Sequence, residues 1–132
     1  MKEWILDFEW TEEGYEAEVN EEVRCLLETY RYLGISPEEG NALQLYSSEQ
    51  AEALHEKLRG MVETSDFGKV HGFRALRVIF STMHQVDLSE GENLLIPHRL
   101  AAYLNMDEWK VGLGILTERD GIVLLKDSGF EF

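Results

Sequence analysis

The sequence predicts an α+β fold: an N-terminal β-hairpin, three to five helices and a C-terminal unit of short helices closed by strands. The alternative is a C-terminal β-meander that shares one sheet with the N-terminal hairpin. Three observations point this way. Residues 4–10 alternate apolar and mostly acidic side chains, two segments carry capped apolar stripes at helical spacing, and residues 97–132 join helical patterns to strand-like ones. A length of 132 residues suits one domain, with an acidic lobe over 1–68 and a second lobe over 69–132. A chain this long buries roughly two-thirds of its unfolded surface, enough for a core without metal or disulfide.

Trp4, Leu6, Phe8 and Trp10 alternate with Ile5, Asp7 and Glu9, the period of a strand with one apolar and one acidic face. TEEG at 11–14 is a turn, after which Tyr15, Ala17 and Val19 alternate with Glu16 and Glu18. Asn20 caps a helix whose first turn holds Glu21 and Glu22, where the positive end of the dipole favours them. Val23, Leu26, Leu27, Tyr30 and Leu33 form its stripe, and Gly34 stops it. Cys25 falls on that stripe and reads as a buried, inert thiol. ISPEEGN is a loop and ALQLY (42–46) a short buried strand. Ser47 and Gln50 make a capping box for a second helix with Ala51, Leu54, Leu58, Met61 and Val62 on one face, ended by SDFG at 65–68.

Over 70–86, Phe73, Leu76, Phe80 and Met83 keep helical spacing, although ALRVIF also suits a strand core. DLSEGEN is a loop. Pro97 fits the first turn of a helix lined by Leu100, Ala101 and Leu104. Asn105 marks a left-handed turn, Met106 plugs the core, and Asp107 caps a further helix with Val111 and Ile115 inward. Gly121 ends that helix, and IVLLKDSGFEF makes two strands around a KDSG turn. This arrangement resembles the winged-helix family over residues 100–132, with 70–86 as its first helix. In that family an aliphatic residue usually follows the Val by seven, where this chain has Glu118, and Gly112 and Gly114 lie inside the implied helix. The rival reading is a hairpin: Val111, Leu113, Ile115 and Thr117 alternate, and Asp120-Gly121 is a strong two-residue turn signal.

The acid is unevenly spread within a net charge of −14. Residues 1–30 carry ten acidic and two basic side chains, whereas 69–132 carry nine and seven. A winged helix is the usual hardware for gripping DNA, although a true one need not touch it. The helix after the turn, however, opens Asp107, Glu108, Trp109, Lys110, and two carboxylates repel phosphate. The expected activity is therefore that of a small acidic, non-catalytic regulator or adaptor that binds a basic protein partner. Asp7, Glu9, Glu16 and Glu18 form its negative face, and Trp109 is a further partner contact. The alternative is a nucleic-acid-binding regulator that uses Lys69, Arg74, Arg77, Arg99 and Lys126; pairing of these cations with the acidic hairpin is the plainer account of them.

Other chemistry finds no motif. His55, His71, His84 and His98 are scattered without metal-ligand spacing, and Gly112-x-Gly114 lacks the third glycine of a dinucleotide loop. No nucleophile is paired with a base, so no catalytic residue, metal or cofactor is expected. One cysteine and no leader-like or membrane-length apolar run suit a cytoplasmic protein. The sequence leaves the oligomeric state open.

Overall fold

A computed structural model describes residues 2–37, 39, 41–64, 83–86, 88, 93–106 and 112–127. The alternation at the N-terminus becomes β1 (Lys2–Trp10) and β2 (Gly14–Glu18). Thr11 closes their turn: its hydroxyl donates to the Gly14 carbonyl at 2.7 Å. Helix α1 (Glu21–Thr29) follows, and its Asn20 cap accepts from the Val23 N–H at 2.8 Å. β3 (Tyr32–Ile35) and β4 (Ala42–Tyr46) form a second hairpin. α2 (Ser48–Thr64) opens on the reciprocal Ser47–Gln50 capping box, with bonds of 2.9 and 3.2 Å. β5 (His84–Gln85), β6 (Asn93–Pro97), α3 (His98–Ala101) with a 3-10 turn over Ala102–Leu104, β7 (Gly112–Arg119) and β8 (Ile122–Asp127) complete the described elements.

The strands form one antiparallel, curled half-barrel sheet in the order β5-β3-β4-β8-β7-β1-β2-β6. Strands of the two sequence halves interleave: β1 pairs with β7, β2 with β6 and β4 with β8. β5 pairs with β3 at one end of the sheet, and Leu88, three residues on, bridges Leu94 of β6 at the other. Leu6, Phe8, Ala17, Leu43, Leu45, Leu94, Leu116, Val123 and Leu125 point to one side and meet Val23 and Leu27 of α1 and Leu100 and Leu104 of the α3 region in one core. Full burial of each Leu, Val or Phe side chain among these contributes about 1.5–3 kcal/mol. A one-residue slip of register would turn this whole set outward, which is why the pairing is well specified.

The fold is therefore mostly β, and the α+β expectation with three to five helices and a winged-helix-like C-terminal unit is corrected. The decisive segment is 112–119, expected to be helical and found as β7, bonded to β1 from Lys2–Glu118 to Phe8–Gly112. Of the two C-terminal readings, residues 112–127 follow the hairpin one, with Asp120 (φ 51°) and Gly121 (φ 76°) as its left-handed turn. Gly114 explains why helix and strand readings stood so close: a Cβ there would sit 2.7 Å from Phe8 Cε2 and 3.2 Å from Leu125 Cδ1. The glycine makes room for the Phe8 ring rather than bending a nucleotide loop.

Smaller corrections share one cause, local pattern overridden by sheet pairing. α1 ends at Thr29, and Leu33 and Gly34 belong to β3 rather than to the helix and its stop. Residues 122–127 are one strand, so Lys126 and Asp127 are not in a turn. Cys25 is exposed, because α1 buries Val23 and Leu27 and position 25 lies on the opposite side of the helix. The end of the helix expected over 70–86 is extended at His84–Gln85, and its remainder, 70–82, lies outside the described residues. Asn105 does adopt the left-handed conformation at φ 57°, and Met106 packs partly against the core.

Candidate functional site

The strand period that sends Leu6 and Phe8 inward sends Glu3, Ile5, Asp7 and Glu9 to the other side of β1. The β1–β2 register sets Glu9 directly opposite Glu16, and the same register carries Asp7 towards Glu18. Asp7, Glu9 and Glu18 are exposed and Glu16 is half-buried. Among the described residues, salt bridges join Lys2 to Glu22, Arg59 to Glu56 and Lys126 to Glu39, and none of these takes up any of the four carboxylates. Like charges directly across an antiparallel pair destabilise it, by up to about 1 kcal/mol. Core packing gives no reason for that cost.

The same outer face changes character across β7 and β8. Ile5 opposes Ile115, Asp7 opposes Leu113, Ile115 opposes Lys126, and Leu124 sits between Thr117 and Gln44. Ile5 is 68% exposed. Ile115, Ile122 and Leu124 floor a groove of about 210 Å³ rimmed by Glu3, Gln44, Thr117 and Arg119. Its far wall is built by Ser36 and Glu39, between β3 and β4. Ser36, itself buried, receives the Glu39 backbone N–H on its hydroxyl at 3.3 Å, and Glu39 then pairs with Lys126 at 2.6 Å.

Around the edges of this face, two contacts hold β1. Lys2 donates to Glu22 of α1 at 2.9 Å; this bond raises the lysine pKa, and together with a hydrogen bond donated by Trp4 it lowers that of the carboxyl. At the other end, His98 lies 5.4 Å from the Trp10 ring and 5.6 Å from Tyr15, and its Nε2 donates to the Thr11 carbonyl at 2.6 Å. These aromatics line a wide shallow cleft together with Asn105 and Met106. Trp10 is 45% exposed there, so it is not a core residue, whereas Trp4 packs partly against the core. On β4, burial pushes the Tyr46 phenol up to about 12, and its hydroxyl donates to the Ile35 carbonyl at 3.0 Å.

The four acidic residues read from the sequence thus share one face. Trp109 and the basic residues Lys69, Arg74 and Arg77 lie outside the described residues. Arg99, on α3 beside β2 and β6, is exposed, and Lys126, on β8 three strands from β2, is occupied by Glu39. Ile5, Ile115 and Leu124 were not singled out by sequence. The one available signal was Ile5, an apolar residue on the otherwise acidic side of β1. Among the described residues no group of three metal-ligating side chains is present, and no helix is long and apolar enough to cross a membrane. Comparison with protein-family models and with curated proteins finds no match.

Proposed function

We propose that this chain is a small, non-catalytic regulatory or adaptor protein that binds a basic protein partner through the outer face of β1–β2. The observation that carries the reading is the Glu9–Glu16 opposition, flanked by Asp7 and Glu18, with no cation among the described residues to offset it. A partner's lysines or arginines relieve that repulsion, and the concentrated negative field speeds the encounter. Phosphate is repelled by the same field, which favours protein over nucleic acid. The single cysteine, exposed on α1, suits a reducing cytoplasm.

Two variants of equal net charge test the reading. One replaces Glu9, Glu16 and Glu18 with Gln; the other replaces Glu49, Glu52 and Glu56, which are exposed on α2. Both are three units less negative than the native −14. Binding of an oligolysine peptide, measured against salt, weakens roughly tenfold at low ionic strength in the first variant and far less in the second. Equal losses in both would reduce the acid to a general solubility charge and end the reading.

A further inference from the structure

We propose that the partner element received here is a cationic amphipathic helix, its apolar side chains seated on Ile5, Ile115 and Leu124 and its lysines or arginines over Asp7, Glu9 and Glu16. This rests on the reading above and goes further, because a polycation alone has no use for the apolar stripe beside the acid.

The stripe is continuous. Ile5 and Ile115 are directly paired across β1 and β7, and Leu124 follows diagonally on β8, two residues from Lys126, which opposes Ile115. Exposure of Ile5 at 68% places a large aliphatic side chain in water, between Glu3 and Asp7 on the outer side of β1. The groove of about 210 Å³ floored by Ile115 and Leu124 gives an entering side chain somewhere to go. The acid lies along one flank: Glu3 and Asp7 stand on either side of Ile5 on the same strand, each about 7 Å away by strand rise.

A helix is the form that fits. β1, β7 and β8 are each hydrogen-bonded to a strand on both sides, so no backbone edge is open there for an added strand. Recognition must go through side chains. Residues at i and i+3 or i+4 of a helix stand about 5–6 Å apart, between the roughly 4.8 Å that separates neighbouring strands and the roughly 6.8 Å that separates alternate residues on one strand. A second copy of this chain would bring another −14 to the face, so self-association is disfavoured.

The test uses two peptides of identical lysine and leucine content, one with leucines at i, i+3, i+4 and i+7, the other scrambled. The native chain binds the amphipathic peptide at least tenfold more tightly. Ile5→Ser, at an exposed position that the fold tolerates, lowers binding of the amphipathic peptide to the scrambled level and leaves the scrambled one unchanged. Glu9→Gln with Glu16→Gln weakens both. Methyl chemical shifts of Ile5, Ile115 and Leu124 move only with the amphipathic peptide. Equal affinity for the two peptides, with both weakened by the acidic substitutions, would overturn the helix inference and leave the basic-partner reading standing. Failure to bind either peptide would overturn both.

Discussion

The hairpins β1–β2 and β7–β8 lie side by side in one sheet, joined through β1 and β7, and they agree on one face while differing on the other. Inward, both are apolar: Leu6, Phe8 and Ala17 in the first, Leu116, Val123 and Leu125 in the second. Outward, the first presents Asp7, Glu9, Glu16 and Glu18, and the second Leu113, Ile115, Leu124 and Lys126. Burial constrains the inner faces alike because both close the same core. The outer faces are free of that constraint, so their difference records something other than folding. The acidic hairpin even retains a like-charge pair that core packing does not require.

Substitutions on the two faces sharpen this contrast. Phe8→Ala, at a fully buried ring, should cost about 3–5 kcal/mol in denaturant unfolding, whereas Ile5→Ser three residues earlier should stay within about 0.5 kcal/mol. Comparable losses at both would mean that the outer face is structural after all. Gly114→Ala pushes a methyl to 2.7 Å from the Phe8 ring and should cost about 1–3 kcal/mol by overpacking; a double variant that also shortens Phe8 should cost less than the sum of its parts. Gly121→Ala, at φ 76° with open space around it, should cost only the left-handed strain, about 1 kcal/mol. Glu9→Gln should go the other way and stabilise the fold by up to about 0.5 kcal/mol as it removes the repulsion from Glu16.

The outer face also differs along its length, open at β1 and covered at β4, where Tyr46 is buried. Below pH 10, the ordinary phenol value, Tyr46 is neutral in both folded and unfolded chains. Above it only the unfolded chain ionises, so stability falls as pH rises from 10 towards about 12 and then levels off. Phenolate absorbance should show a late-titrating phase that Tyr46→Phe reduces.

Local chemistry made half of this molecule readable in advance. The period of residues 4–10, the Asn20 cap, the Ser47–Gln50 box and left-handed Asn105 are written in adjacent residues, and each took its expected form. Pairing partners are not so written. Leu113, Ile115 and Thr117 have a strand period, but Leu116 lies on the helical face that Val111 and Ile115 suggested, and only docking onto β1 decides between them. Gly34 looked like a helix stop because nothing local shows that β4 will claim residues 32–35. The acidic half of the site was legible because both its strands are consecutive. The apolar half was not, since it joins residues more than 100 positions apart, Ile5 and Ile115.

Carboxyl carbon shifts followed by NMR during an oligolysine titration decide whether the acids of β1–β2 form the docking face, because every acid in the chain serves as a control for every other. Asp7, Glu9, Glu16 and Glu18 should move together and early, while Glu49, Glu52 and Glu56 on α2 move little. Uniform movement across both groups, or movement led by α2, would contradict it.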